Sequence, residues 1–243
     1  MNDWPALAAD DFAEGSVHVI GIDVSGAGAG AGLEGLLDEG ERRRSAAFRA
    51  EIDRRRFRAG RVSLRLLLGR ILGCSPVRVP LAEGPHGKPV LAPDAGVRVG
   101  FNVSHSGDLV LVAIARNREL GVDVERHSGV DIHSIASTVF SSREQAALLE
   151  MEPSAQADAF FRLWARKEAI LKAEGGGFLL PTTTFSVTLA RDDARLLEGM
   201  DPRRWWLRDL PVPEGYAAAL AVEGGEPQLH LWSGEDLVVE GAA

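Results

Sequence analysis

The chain has 243 residues, of which 45% are hydrophobic, and a formal net charge of −8. That length can bury a core as one domain or two small ones, and no run approaches the roughly 18–20 apolar residues of a membrane span. Residues 1–14 are acidic and lack the basic and apolar regions of a secretory signal, the acidic balance disfavours a general nucleic-acid binder, and the single cysteine, Cys74, excludes an intrachain disulfide. A cytoplasmic protein with neither nucleic-acid nor membrane partners is expected.

Residues 17–24, Val-His-Val-Ile-Gly-Ile-Asp-Val, are short and β-branched and predict a strand. The Gly/Ala loop at 25–32 follows. No Lys-Ser/Thr pair comes after its glycines, so it reads as a flexible connection and not as a phosphate loop. Residues 33–72 carry a helical pattern, expected as two helices broken near Ala50, with Phe57, Val62, Leu64, Leu67, Leu68 and Ile71 near the 3.6 period. Charge concentrates here. Residues 1–116 hold 15 Lys+Arg against 14 Asp+Glu, residues 117–243 hold 12 against 21, and ten arginines fall between Arg42 and Arg65. This is either a solvated helix face laced with Glu41, Glu51 and Asp53 or a surface for phosphate or an acidic partner.

Gly84-Pro-His-Gly-Lys88-Pro89 is a rigid turn that presents one lysine. Residues 97–103 and 109–115 predict strands, joined by a loop Ser104-His105-Ser106-Gly-Asp whose polar groups could meet an anion or simply form a polar turn. Residues 120–125 predict another strand, on which Asp123 and Glu125 share a face because side chains alternate. Two neighbouring carboxylates repel and call for a cation, either a hard divalent ion or arginines such as Arg126. His127 has the same parity, so a transition-metal reading is open, although no second histidine is near and a lone exposed histidine is the plainer reading.

Ser141-Ser-Arg-Glu144 is a capping box that opens a helix to about Met151. Pro153 opens the next helix, to about Glu174, and Gly175-Gly-Gly177 stops it. In that helix Glu168 and Lys172 stand four apart on one face, which by itself is an ordinary surface pair. The aromatic and aliphatic neighbours Phe160, Phe161, Leu163, Trp164, Ile170 and Leu171 argue that Lys167, Glu168 and Lys172 are partly buried and need partners. Residues 181–239 read as strand and turn with no chemistry. Two echoes, residues 19–24 against 120–125 and residues 57–61 against 163–167, repeat strand-then-helix about 100 residues apart.

Taken in order, Gly87-Lys88-Pro89, Phe101-Asn102-x-Ser104-His105-Ser106, Gly121-x-Asp123-x-Glu125 and Trp164-x-x-Lys167-Glu168-Ala169-x-x-Lys172-x-x-Gly175-x-Gly177 resemble the larger, pseudo-dimeric class of 4'-phosphopantetheinyl transferases, which activate peptide, polyketide and fatty-acid synthases. The resemblance spans about residues 42–177. It implies an α+β (α/β) fold of two similar subdomains, residues 1–116 and 117–243, related by a pseudo-twofold axis with the active site in the cleft between them. It further implies that Arg44, with Arg55 as second candidate, contacts the 3'-phosphate of coenzyme A. Gly84, Gly87, Lys88 and Pro89 would hold the nucleotide, and Asn102, Ser104 and His105 would line the phosphate site. Asp123, Glu125 and Glu168 would hold Mg²⁺ or Mn²⁺, Lys172 would meet the pyrophosphate, and Glu168 or Glu125 would act as general base with His105 as a donor. The nucleophile would come from an apo acyl or peptidyl carrier protein, and the enzyme would be a monomer. Two rivals remain open at this point: a metal-dependent phosphohydrolase acting on coenzyme A or a nucleotide, and a non-catalytic module that binds coenzyme A.

Overall fold

The computed structural model describes residues 12–26, 33–84, 88–175 and 181–234. The chain divides into two compact units, residues 1–117 with 228–243, and residues 118–227. Gly87, Gly177 and most of the Gly/Ala loop lie outside the described residues.

The first unit is built on a four-stranded sheet in the order β11-β1-β5-β4. Strand β1 (Ser16–Asp23) pairs antiparallel with β5 (Leu109–Arg116), and β5 pairs antiparallel with β4 (Val99–Ser106). The other edge is β11 (Gln228–Ser233), parallel to β1 in the register Val19 to Leu231. The sequence reading places residues 117–243 in one subdomain, whereas β11 belongs with β1 in the first unit. Two helices are formed where expected: α1 (Glu39–Ala47), and α2 (Glu51–Leu72) with Ala50 at its N-cap. Asp38 and Glu41 form a reciprocal capping box on α1, and Gly73 ends α2 in the left-handed conformation at φ 65°. The apolar face of α2 (Ala59, Leu64, Leu67, Leu68, Ile71) packs on Ile20, Ile22, Val110, Val112 and Ile114. Each buried leucine, isoleucine or valine among these contributes about 1.5–3 kcal/mol. A small ribbon, β2 (Leu81–Glu83) with β3 (Pro89–Leu91), carries the Gly84 turn.

Ser104, His105 and Ser106 are strand residues of β4 and not a loop. Ser106 pairs with Leu109, so the connection is only Gly107-Asp108, with Gly107 at φ 55°. Hydrogen bonding in the ladder extends β4 further than its residue types suggest.

In the second unit β6 (Leu120–Arg126), β10 (Tyr216–Glu223) and β9 (Trp205–Asp209) form an antiparallel sheet in the order β6-β10-β9. Helix α5 (Pro153–Glu174) lies on it, flanked by α3 (Ile132–Val139), α4 (Ser142–Leu149) and the ribbon β7 (Ser186–Val187) with β8 (Leu196–Glu198). Phe160, Leu163, Ile170 and Leu171 of α5 share a core with Phe140, Phe185, Trp205 and Ala219. Each unit thus sets a 22-residue helix on an antiparallel face, and the two sequence echoes fall on β1 and α2, and on β6 and α5. Among the described residues no helix is long and apolar enough to cross a membrane.

Candidate active site

In the second unit the site starts from the alternation of β6. Gly121, Asp123 and Glu125 share the parity that faces α5. A Cβ at Gly121 would stand 2.1 Å from the carbonyl oxygen of Ala169 and 2.4 Å from the nitrogen of Ala173. Only glycine permits this approach, which brings the strand's two carboxylates onto the helix. Asp123 is 2% exposed. From residue 159 to residue 173 α5 is buried except at Trp164, Glu168 and Lys172, which are half-buried. These stand at i, i+4 and i+8, one stripe along the helix. The Lys172 ammonium donates to Asp123 Oδ1 at 2.5 Å, and the Trp164 indole Nε1–H donates to Glu125 Oε1 at 3.1 Å. Burial and the charge of Asp123 push the Glu168 carboxyl above its ordinary pKa, and Lys172 offsets only part of this.

This arrangement bears on the expected cation. A half-buried carboxylate that stays costly to ionise beside a second carboxylate marks uncompensated negative charge, and a hard divalent ion fits such a donor set. Among the described residues, however, no group of three or more His, Cys, Asp or Glu side chains stands ready-made around a metal position. Asp123 and Glu168 are electrostatically coupled, and Glu125 is engaged by Trp164. His127 stacks on Phe161 with ring centroids 4.7 Å apart, and burial lowers its pKa. It behaves as a packed ring.

Lys167 has the partner that its burial calls for, and that partner is Glu144. Lys167 is 2% exposed and donates to Glu144 Oε1 and Oε2 at 2.9 and 2.7 Å and to the Phe185 carbonyl at 2.6 Å. Glu144 also accepts from the backbone of Ser141 and Val187. Lys167 therefore joins α5, α4 and β7. Its neighbour Arg166 does the same toward β9, through two bonds to Asp209 at 2.7 and 2.6 Å. Together they hold α5 while the adjacent Glu168 remains open. A cavity of about 320 Å³ next to it is lined by Trp164, Glu168 and Leu171 of α5, Val139, Phe140 and Pro181.

In the first unit, β4 separates the expected phosphate contacts. Asn102 and Ser104 have one parity and are buried, whereas His105 has the other and is exposed. Gly84 N donates to the Lys88 carbonyl at 2.8 Å, which closes the turn before Pro89. Arg44 is 49% exposed, 3.5 Å from Glu83, and lines a cavity of about 260 Å³ with Asp38, Glu41, Arg61, Leu81 and Pro89. Arg55 is engaged elsewhere: its Nη1 reaches the carbonyls of Val24, Ser25 and Gly26 at 3.2–3.4 Å. Much of the arginine-rich segment is used in the same internal way. Arg56 bonds Asp53 and the Gly107 carbonyl, Arg58 bonds Ser45 and Glu34, and Arg65 bonds Asp38 and Glu41.

The model of the 4'-phosphopantetheinyl transferase superfamily matches residues 119–221, and that of a 4'-phosphopantetheinyl transferase N-terminal domain matches residues 32–117. Together these cover most of both units. The chain is 34% identical over 203 residues to the 4'-phosphopantetheinyl transferase HetI of Nostoc sp. strain PCC 7120, covering 82% of this chain and 84% of HetI. The chain belongs to the 4'-phosphopantetheinyl transferase superfamily. It is also similar to the 4'-phosphopantetheinyl transferase Sfp of Bacillus subtilis strain 168, at 31% identity over 74% of this chain and 79% of Sfp. A phosphopantetheinyl transferase of Thraustochytrium sp. matches at 32% identity over 79% of this chain and 72% of that protein. Sequence reasoning singled out Asp123, Glu125, Glu168 and Lys172 as candidates and gave Trp164 no role. The signal was present, since Trp164 stands four residues before Glu168 and eight before Lys172.

Proposed function

We propose that this transferase moves the 4'-phosphopantetheine arm of coenzyme A onto a serine hydroxyl of an apo acyl or peptidyl carrier protein and releases 3',5'-ADP. The observation that supports this most is the open stripe Trp164, Glu168, Lys172 lying over Asp123 and Glu125 on an otherwise buried helix. Asp123, Glu168 and Glu125 would hold Mg²⁺ or Mn²⁺, which would neutralise pyrophosphate charge and orient the leaving oxygen.

The chain's own residues do the rest. The Lys172 ammonium, now on Asp123, donates to the pyrophosphate oxygens as negative charge gathers there. Glu168, whose affinity for a proton is raised by burial and by Asp123, accepts the serine proton, with Glu125 as the other carboxylate within reach of that role. The serine oxygen forms its bond to the phosphorus of the pantetheine phosphate. The bond from that phosphorus to the bridging pyrophosphate oxygen breaks, and its electron pair leaves with 3',5'-ADP. In the first unit Arg44, Gly84, Lys88 and Pro89 are assigned to the nucleotide, and Asn102, Ser104 and His105 to phosphate oxygens. Arg55 is the weaker candidate for the nucleotide, since its Nη1 reaches backbone carbonyls.

The test is intact-mass spectrometry of an apo carrier protein incubated with this protein, coenzyme A and Mg²⁺, with EDTA and Asp123→Ala controls. The expected result is a gain of one phosphopantetheine that disappears in both controls. Coenzyme A cleaved with no gain on any carrier would replace the proposal by a phosphohydrolase.

A further inference from the structure

The first unit holds a buried histidine that the proposed reaction does not use. His18 is 1% exposed and shares its parity on β1 with Ile20 and Ile22, which pack against α2. Across the ladder it is paired with His230 of β11, and Ile20 is paired with Trp232. The His18 and His230 rings stack with centroids 4.8 Å apart and planes 7° apart, and the Trp232 ring is parallel to both within 5°. Phe12 packs on His18 at a centroid distance of 4.6 Å.

The hydrogen bonds fix one protonation state. The indole N–H of Trp232 can only donate, and its Nε1 stands 2.9 Å from His18 Nδ1, so Nδ1 carries the lone pair. The Ser16 hydroxyl donates to the Ala13 carbonyl at 2.6 Å and lies 2.9 Å from His18 Nε2, so Nε2 carries the proton and donates to Ser16. A relay thus runs from β11 through the ring to the chain before β1. It fits the neutral imidazole alone. A second proton would sit on Nδ1, against the indole N–H, and would place a charge between Ser16 and Trp232, themselves 2% and 8% exposed. The surrounding titratable and charged groups come from three elements. β11 presents His230; the segment before β1 carries Glu14, which accepts from Asn117 at 3.0 Å; and β5 carries Arg116, two residues beyond the Ile114 that pairs with His18, donating to the Ile71 carbonyl of α2 at 3.3 Å. The α2 side chains that share a core with Trp232, among them Leu67, Leu68 and Ile71, are apolar.

We propose that His18 is a proton-operated latch that holds β11 on β1. With the ring neutral, the relay is intact and the sheet edge is closed. A proton on Nδ1 ejects the indole N–H, and β11 loses a side-chain anchor while keeping its backbone ladder and the bond from Gly234 N to the Gly21 carbonyl at 2.8 Å. The bonds fit the neutral ring and exclude the imidazolium, so the pairing weakens as pH falls through the histidine range. The latch stands apart from the transfer reaction and does not depend on it.

Hydrogen–deuterium exchange of the whole protein, corrected for the intrinsic pH dependence of exchange, reads the latch at residues 228–233, with β10 as internal reference. Between about pH 7.5 and about pH 5.5 the exchange of β11 should rise roughly tenfold or more, the size of a lost buried hydrogen bond, while β10 stays level. His18→Asn keeps an acceptor near the Nδ1 position and takes up no proton, so its β11 should exchange alike at both pH values. Trp232→Phe keeps a ring but has no N–H to eject; its response should also shrink, and it serves if the asparagine variant does not fold. His230→Gln removes the other titratable ring and should keep the wild-type response. A wild-type β11 that stays protected at the lower pH, a rise shared equally by β10, a response that survives in His18→Asn or Trp232→Phe, or one that disappears in His230→Gln would each overturn the latch.

Discussion

Gly121→Ala is the most demanding perturbation of the site, because it adds one methyl group and removes nothing. The new Cβ would lie 2.1 Å from the Ala169 oxygen, 2.4 Å from the Ala173 nitrogen and 2.9 Å from Lys172 Cβ. Real Cβ atoms essentially never approach other atoms closer than 3.0 Å, so strand and helix must part by about 0.9 Å, the difference of 3.0 and 2.1. Two of the obstructing atoms are helix backbone and cannot swing aside. The helix is also fixed by Lys167 on Glu144 and Arg166 on Asp209. Overpacking of this kind costs typically about 1–3 kcal/mol and sometimes more, and we expect about 3 kcal/mol. In a protein of this size that lowers Tm by roughly 6–12 °C. The same displacement separates Asp123 from Lys172, and misplacement on the order of 1 Å costs about a hundredfold in rate. Thermal unfolding and kcat/KM for coenzyme A, measured where both proteins are folded, give the two numbers. Gly129→Ala is the control, because a Cβ there meets nothing within 4 Å. A Gly121→Ala protein with Tm within about 1 °C of the wild type and undiminished turnover would refute the close-approach argument.

Lys167→Met leaves Glu144 buried without its cation and should cost about 3–5 kcal/mol in urea unfolding; adding Glu144→Gln should restore part of it, and a loss below about 1 kcal/mol would remove Lys167 from its structural role. Trp164→Phe keeps the ring but deletes the donor to Glu125, so Mn²⁺ affinity read by electron paramagnetic resonance should fall roughly tenfold; an unchanged affinity would deny Trp164 that influence. For Glu168 the folded-state pKa is raised above about 4.5, so between that value and the raised one the native state binds more protons than the unfolded chain. Stability then falls as pH rises through this window, and the deficit persists above it. In EDTA, Glu168→Gln should therefore raise Tm at neutral pH, with the gain vanishing below pH 4.5 while transfer activity is lost; a lower Tm at neutral pH would contradict the assignment.

The sequence placed the candidate residues of the second unit well because their placement is local. Asp123 and Glu125 follow the two-residue period of a strand, Glu168 and Lys172 the four-residue step of a helix, and both elements formed where the periods place them. What stayed hidden depends on long-range pairing. Lys167 reads as a buried lysine in need of a partner, but nothing near it in sequence marks Glu144, 23 residues earlier, as that partner. Glu144 in turn reads as a cap residue, which it also is. Among ten arginines nothing in the sequence distinguishes Arg65, which bonds Asp38, Glu41 and three carbonyls, from Arg61, whose one ion pair, to Glu41, spans 3.4 Å. The Ser104-His105-Ser106 segment reads as a polar loop because serine and histidine are weak strand formers, and only its pairing with residues 109–111 makes it a strand.

The pairing of β11 with β1 also orders events during synthesis. Residues 118–227 form a continuous stretch with its own sheet and helix, and its strands have all left the ribosome before residue 228 emerges. The first unit has β1, β5 and β4 in hand far earlier, yet one edge of β1 stays open until β11 arrives more than 200 residues after its partner. An open strand edge is a template for unwanted pairing, so the nascent chain carries that exposure throughout the making of the second unit. Strand-mimicking peptides added during translation should find it there, and the finished protein should refuse them.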